Sequence, residues 1–365
     1  MNPADRAPAD PFARITAVVV NYNGAEHLPP CLEGLALQGP RIDRVLVVDN
    51  ASTDGSPALV AQRFPAATVI ELGENRGPCP ARNAGLRAAS TEWVLLVDND
   101  AVLTEGVLEK LIVAARSRPD VALVQPRSVF ATEATRVHYD GGELHYVGLF
   151  ALRNFYVPLA EARGVGTLEV GGAVSVALLV RRELVLALGG FDERYFILFE
   201  DLDLSFRLRA AGHAILSVED ALVLHRGGTP GISFRKAASY PRSRAFFHSR
   251  NRWYFLDANY RRRTLALAAP GLLLYELVWL AFCLKDRTLG GWLEGKVAFL
   301  KDGAGRRAAR ERTRAVRRVG DRELLVGGPL TIAPQLSRRG FAAAVLQFLD
   351  GALALWWKLV RPWIG

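Results

Sequence analysis

Asp98 and Asp100 end an apolar run, WVLLVDND, with a single residue between them. Side chains alternate along a strand, so both carboxylates would face the same way across Asn99. Two like charges held that close repel. A hard divalent cation such as Mg2+ or Mn2+, which prefers carboxylate oxygens, would make the pair favourable. Asp-x-Asp pairs are common in surface turns, but this one gains weight from a second acidic cluster, FEDLD (199–203), further along the chain.

In that cluster Glu200, Asp201 and Asp203 open a segment with helical spacing: Leu204, Leu208 and Ala211 at i, i+4 and i+7, Arg207 and Arg209 late, and Gly212 as the stop. Acids in a first turn stabilise a helix by ~0.3–1 kcal/mol with no catalytic purpose, and Asp203 fits that role four residues before Arg207. Glu200 and Asp201 directly follow the aromatic-rich RYFILF. A carboxylate there is partly desolvated and its proton affinity raised, which suits a general base near neutral pH.

His225, in LVLHRGG, ends another apolar run. It is either a hydrogen-bonded structural histidine or, if its strand returns to the edge that carries Asp98 and Asp100, a neutral imidazole that joins a carboxylate on a metal. In ENRGPCPARNAG (74–85) the glycines would let a loop approach a ligand closely, with Arg76 and Arg82 available to a diphosphate. The same stretch reads equally well as a proline-rich turn followed by a helix that begins near Ala81.

The elements that must position these residues follow from periodicity. ITAVVV (15–20), RVLVVD (44–49), ATVIEL (67–72) and WVLLVD (93–98) have the length and composition of buried parallel strands. Between them, Leu28, Leu32 and Leu35, then Leu59, Val60 and Phe64, then Ala84, Leu86 and Ala88 have helical spacing. Alternating strand and helix predict an α/β fold, a doubly wound, mostly parallel sheet flanked by helices. In such sheets ligands bind at the carboxyl ends of strands, where NYN, DNASTDGS, ENRG and DND all fall. From 120 to 180 the pattern loosens into strand candidates VALVQP and AVSVALLV around an insert, HYDGGELHYVG.

With 365 residues, half of them hydrophobic, the chain can bury one large domain and a smaller one. Cys31, Cys79 and Cys283 lack any short paired spacing, which argues against a disulfide framework and a zinc site and favours structural free thiols. MNPADRAPADPFAR is polar, so a flexible N-terminus over 1–13, no secretory signal and a cytoplasmic protein are expected. Charge is divided unevenly: residues 1–225 carry 20 Lys+Arg against 28 Asp+Glu, and residues 226–365 carry 26 against 9. No G-x-G-x-x-G follows the first strand, which disfavours a dinucleotide dehydrogenase. The basic part lacks interleaved aromatics of the stacking kind, so no nucleic-acid partner is expected.

Within the basic part, GRRAARERTRAVRR (305–318) separates two apolar stretches, 265–284 and 341–360, each as long as a bilayer span. Each holds an acid, Glu276 or Asp350. If both crossed, the arginine-rich link would lie outside the cell, against the positive-inside tendency. Helices lying in the membrane interface are the expectation, anchored by Trp356, Trp357, Lys358, Arg361 and Trp363, with packing against the first domain as the competing reading.

The ordered set VVVNYNG, VVDNASTDGS, ENRGPCPARNAGL, LLVDND, GGFDERYFILFEDLDLSFRLRAAG and LHRGG closely resembles family 2 glycosyltransferases of the GT-A fold, especially bacterial rhamnosyltransferase-like members. The resemblance implies a catalytic domain over 14–230, with a nucleotide-binding half at 14–118 and an acceptor half at 119–230. Residues 231–365 would then be a basic and apolar helical region attached to the membrane surface. Val20, Tyr22 and Asp49 would hold the nucleobase, Arg76 and Arg82 would lie along the nucleotide edge, and Asp98 would face the ribose or the metal. Asp100 would bind Mg2+ or Mn2+ bridging the donor's diphosphate, with His225 as a further ligand. Asp201 would be the base, and Glu200 would position it or the acceptor hydroxyl.

The implied reaction is an inverting transfer from a UDP-, dTDP- or GDP-linked sugar to a glycan or polyprenyl-diphosphate-linked acceptor at the inner face of the cell membrane. In GPCP two prolines stand where relatives commonly have small or polar residues, which bears on the reach of Arg82. A nucleotide-sugar-binding scaffold without turnover is the rival reading, and intact Asp100, Asp201 and His225 argue against it.

Overall fold

The computed structural model describes residues 10–164, 166–227, 232–233, 239–331 and 341–365. Of the expected flexible N-terminus, residues 1–9 lie outside the described residues, as does Gly228 of LHRGG.

The first strands and helices alternate as β1 (Ile15–Asn21), α1 (Leu28–Ala36), β2 (Ile42–Asp49), α2 (Ser56–Arg63), β3 (Ala67–Glu71), α3 (Pro78–Ala88) and β4 (Trp93–Asp98). Every residue of β1 is buried, as a strand covered by helices on both faces must be. α3 begins at Pro78, three residues before the expected start near Ala81. Proline at the first helical positions gives up an N–H that has no intrahelical partner anyway, so the PCP sequence starts the helix rather than delaying it. Gly85 lets α3 approach β1: a Cβ there would stand 2.2 Å from Val18 Cγ1.

The chain continues with β5 (Ala101–Leu103), α4 (Val107–Arg116), β6 (Val121–Phe130), β7 (Glu133–Tyr139), β8 (Gly142–His145), β9 (Leu149–Leu152), β10 (Thr167–Glu169), β11 (Ala177–Arg181), α5 (Arg182–Ala187), α6 (Glu200–Ala210) and β12 (Ala214–His225). The main sheet has the order β10-β12-β6-β11-β4-β1-β2-β3. β3, β2, β1 and β4 are mutually parallel, β11 is inserted antiparallel between β4 and β6, and β12 runs parallel to β6. Thus β1, β2, β3, β4, β6 and β12 all point one way, and the fold is the expected GT-A-type, mostly parallel sheet flanked by helices.

Apolar layers cover both faces. Leu28, Leu35, Leu108 and Leu111 pack on one, and Leu86, Val185, Leu204 and Leu208 on the other. Cys31, Cys79 and Cys283 are buried free thiols.

The C-terminal third comprises α7 (Arg242–Asn259), α8 (Arg262–Lys285), α9 (Leu289–Lys301), α10 (Gly303–Val316), α11 (Asp321–Leu324), β13 (Leu325–Val326) and α12 (Phe341–Val360). β13 pairs with β8, and a third core joins Leu144, Tyr195, Leu202 and Phe206 to Tyr254, Phe255, Leu272 and Leu353. These helices therefore share a core with β8, α6 and the turn before α6. The arginine-rich run is α10, and much of its charge is turned inward: Arg306 and Arg310 pair with Asp257, and Arg312 with Asp192.

Two expected membrane anchors need correction. Trp357 is buried and stacks on Tyr146 at 4.8 Å, and Trp356 donates to the Leu267 carbonyl at 3.0 Å, so both indoles hold α12 against the protein. Trp363 is exposed, together with Leu273 and Leu277 on α8, Leu293 and Leu300 on α9, and Phe348, Leu355 and Leu359 on α12. By length and composition, α8 and residues Ala343–Trp363 could each cross a membrane.

Candidate active site

Sheet topology assembles the acids. Asp98 is the last residue of β4, and β5, which begins three residues later, pairs antiparallel with the end of β12, placing Ala101 opposite His225. β12 thereby returns to the edge that carries the two aspartates and brings His225 beside them. Asp98, Asp100 and His225 each offer a ligand atom, and these atoms lie within 4.8 Å of one another. His225 Nε2 stands 3.3 Å from Asp100 Oδ1, while the Gly227 N–H donates to Asp100 Oδ2 at 2.9 Å. His138, which the sequence did not single out, lies with Nδ1 2.8 Å from His225 Nδ1 and orients the ring so that Nε2 meets Asp100. The insert HYDGG contains it, but nothing in its spacing pointed to β12.

Two carboxylates and an imidazole are donors suited to Mg2+ or Mn2+. The electrostatics are uneven. Burial pushes the Asp98 carboxyl up to about 6, helped by the Asp100 charge and opposed by Arg82. Burial acts on Asp100 in the same direction, but His225 and the Gly227 N–H outweigh it and hold its carboxyl below the usual range.

Arg82 lines the space between the two acidic groups. It is 3% exposed, with Nη2 2.8 Å from Asp98 Oδ1 and donating to the Ser175 carbonyl at 3.2 Å, and Nη1 3.6 Å from Glu200 Oε1. It sits on the buried face of α3, over the Phe191 ring. Arg82 thus bridges the Asp98 pair to the Glu200–Asp201 pair. Arg76 is half exposed, between Glu74 and Glu193.

Glu200 and Asp201 begin α6. Glu200 is buried, and its Oε2 has no hydrogen-bond partner. Burial, reinforced by Asp201 and opposed by Arg82, holds its carboxyl above the usual range. Asp201 is half-buried and accepts a short hydrogen bond from the Ser175 hydroxyl, a second residue that sequence reasoning missed. The turn before α6 is strained: Phe196, Leu198 and Phe199 have φ of 60°, 67° and 76°. Non-glycine residues in such conformations cost about 1–3 kcal/mol each and cluster at functional sites.

At the other strand ends, Val20 is buried in the sheet and Tyr22 is 47% exposed. Asp49 is buried, and its oxygens accept from the Asn21 amide at 2.6 Å and from the Ser52 N–H at 2.8 Å and hydroxyl at 2.6 Å. Asn99 in turn donates to Asn21 Oδ1 at 2.8 Å, so a polar chain ties the ends of β1, β2 and β4 together.

A cavity of about 200 Å³ is lined by Arg82, Asp98, Asp100, Ser175, Glu200, Asp201 and His225, with Ile232, Ser233 and Arg244 contributed from beyond β12. Asp100 and Asp201 therefore open into one space. A larger cavity of about 440 Å³ lies beside Arg322, Asp350 and Arg361 and contains none of these residues.

Residues 16–188 match the sequence model of Glycosyl transferase family 2. An N-acetylglucosaminyl-diphospho-decaprenol L-rhamnosyltransferase of Mycobacterium tuberculosis is 32% identical over 231 residues, 58% of this chain and 75% of that one. The galactofuranosyltransferase GlfT1 of the same species is 28% identical over 270 residues, 69% of this chain and 85% of that one. Among solved structures, the mannosyltransferase PcManGT of Pyrobaculum calidifontis is 21% identical with a TM-score of 0.46, covering 98% of this chain and 85% of that one.

The chain belongs to glycosyl transferase family 2. Its class of reaction is glycosyl transfer.

Proposed function

We propose that this protein transfers a sugar, with inversion, from a nucleoside-diphosphate sugar to a hydroxyl of a lipid-linked glycan in cell-surface polysaccharide synthesis. The observation that carries the reading is the single cavity into which Asp98, Asp100 and His225 open together with Glu200 and Asp201. Inverting transfer needs charge compensation at the leaving diphosphate and a base for the attacking hydroxyl, and the two acidic groups divide those tasks.

Asp98, Asp100 and His225 hold Mg2+ or Mn2+, which when bound supplies neutralisation of the charge growing on the diphosphate. Asp201, half-buried at the cavity wall and oriented by the Ser175 hydroxyl, takes the proton of the acceptor hydroxyl. Arg82 keeps Asp98 and Glu200 at fixed separation. Tyr22 is exposed at the end of β1 and offers its ring to the nucleobase, beside Val20 and the loop that Asp49 ties down; Arg76 is within the same group of loops. Glu200 supports a second reading as the base, because its buried, unpartnered Oε2 and raised proton affinity suit proton transfer near neutral pH.

A rhamnosyl donor and a polyprenyl-diphosphate acceptor are supported by the name of the mycobacterial relative. Exposed leucines on α8, α9 and α12 support peripheral attachment to the inner face of the cell membrane, where such an acceptor resides.

The test is transfer and hydrolysis of UDP-, dTDP- and GDP-sugars with Mn2+, comparing the native protein with Asp100→Ala, Asp201→Asn and Glu200→Gln. Asp100→Ala is expected to lose metal-dependent donor use. Asp201→Asn is expected to bind donor and to transfer about 10²–10⁴-fold more slowly. Full transfer by Asp201→Asn with loss in Glu200→Gln would move the base to Glu200; no turnover of any donor by the native protein would favour the scaffold reading.

A further inference from the structure

The Glu200–Asp201 pair is delivered by a turn that its own sequence does not favour. Ile197 N–H donates to the Tyr195 carbonyl at 2.8 Å across Phe196, whose φ of 60° and ψ of −63° make a γ-turn of the rare, strained hand. Leu198 and Phe199 follow at φ 67° and 76°, and Glu200 is next. None of these residues is glycine, so the conformation persists only because surrounding groups over-determine it.

Those groups come from α7, in the part of the chain outside the expected catalytic domain. Asn251 is fully buried, and its Nδ2 lies 2.9 Å from the Tyr195 carbonyl, 2.8 Å from that of Ile197 and 2.8 Å from that of Leu198. Its Oδ1 accepts from Arg250 Nε at 2.9 Å, so the whole amide is engaged. Arg250 Nη2 donates to the Arg194 and Tyr195 carbonyls at 3.0 and 2.9 Å. The Phe247 ring stacks on Phe196 at 5.3 Å, and His248 meets Phe199 edge-on. On the opposite side Gly77 abuts the Phe196 carbonyl.

We infer that Asn251 is a positioning residue for the transfer reaction: it holds the Tyr195–Phe199 turn in its strained form and thereby fixes the carboxylates of Glu200 and Asp201 against the acceptor. The inference rests on the assignment of those carboxylates to the reaction. Asn251 touches neither of them, nor the metal-binding group; it acts through backbone carbonyls alone. A buried amide replaced by a group of similar shape without N–H donors takes that donor from the Ile197 and Leu198 carbonyls, while the Tyr195 carbonyl keeps Ile197 N–H and Arg250 Nη2, and the turn relaxes.

The experiment compares native protein with Asn251→Ala and with Asn251→Asp, which keeps the shape and removes the donors. In steady-state kinetics with a nucleoside-diphosphate sugar and Mn2+, kcat is expected to fall on the order of 10²-fold, the cost of a misplacement of about 1 Å. KM for the donor and binding of the free nucleoside diphosphate should stay within about twofold, since the strand ends that hold it are untouched. Leu198→Gly in the Asn251→Ala background should recover part of the lost kcat, because glycine adopts positive φ without strain. A merely structural amide would instead move stability, KM and kcat together, with no recovery from glycine.

Hydrogen exchange provides a reading independent of any activity: the 195–203 segment should exchange faster in both variants while β1–β4 stay protected. Native kcat together with unchanged exchange in both variants would overturn the inference. Faster exchange in a protein whose native form turns over no donor would leave the clamp standing and remove the function assigned to the site.

Discussion

Glu200 shows in one side chain what this site costs the fold. Its carboxyl is held above the usual range by burial first and the Asp201 charge second, with Arg82 opposing. Below the ordinary carboxylate value both folded and unfolded chains carry the proton, and the residue contributes no pH dependence. As pH rises through that value the unfolded chain releases its proton and the folded chain keeps it, so stability declines until the folded carboxyl also ionises. Glu200→Gln should therefore melt higher than the native protein at pH 8, by roughly 2 °C for each kcal/mol regained, with the advantage gone at pH 4. Thermal melts at the two pH values check this; a variant less stable than native at both would show that the carboxylate is well compensated.

At the scale of elements, the junction of α3 with the strained turn leaves no room for a side chain. Gly77 has φ +86°, and a Cβ there would lie 2.2 Å from the Phe196 carbonyl oxygen, a backbone atom that cannot step aside without the turn. Gly77→Ala is expected to destabilise the protein by about 1–3 kcal/mol and to lower kcat more than donor affinity. Denaturant melts read alongside kinetics would decide it, and a variant with native stability and native kcat would mean that the turn has slack. The same junction explains why α3 starts with PCP: rigid first-turn residues fix where the helix meets the turn.

On the scale of the whole molecule, the C-terminal helices do two things at once. Their inner faces share a core with β8 and α6, and their outer faces leave Leu355, Leu359 and Trp363 exposed on and just beyond α12. Lys358 and Arg361 are exposed in the same stretch. Binding to anionic phospholipid vesicles is expected, weakening with added salt as exposed basic groups are screened. Leu355→Asp with Leu359→Asp should lower vesicle co-sedimentation about tenfold or more while leaving donor hydrolysis in solution unchanged. Equal sedimentation of native and variant protein would remove this face from membrane attachment.

The sequence alone determined the four aliphatic strands, the position of polar signatures at their carboxyl ends, the Asp98–Asp100 spacing and the acidic start of α6. All of these are local: period, length and neighbouring residues decide them. Tertiary structure decided the rest. His225 reaches Asp100 because β5 and β12 pair across more than a hundred residues of chain, which no periodicity encodes. Arg82 is buried between Asp98, which is half-buried, and Glu200, which is buried, a pairing across distant segments that its place in the sequence does not encode. His138, Ser175 and Asn251 enter through contacts that exist only once distant segments share a core. Trp356 and Trp357 read as membrane anchors by composition, yet packing on Tyr146 and the Leu267 carbonyl turned them inward. Residue type fixes what a side chain can do; which partner it meets is settled by the long-range pairing of strands and helices.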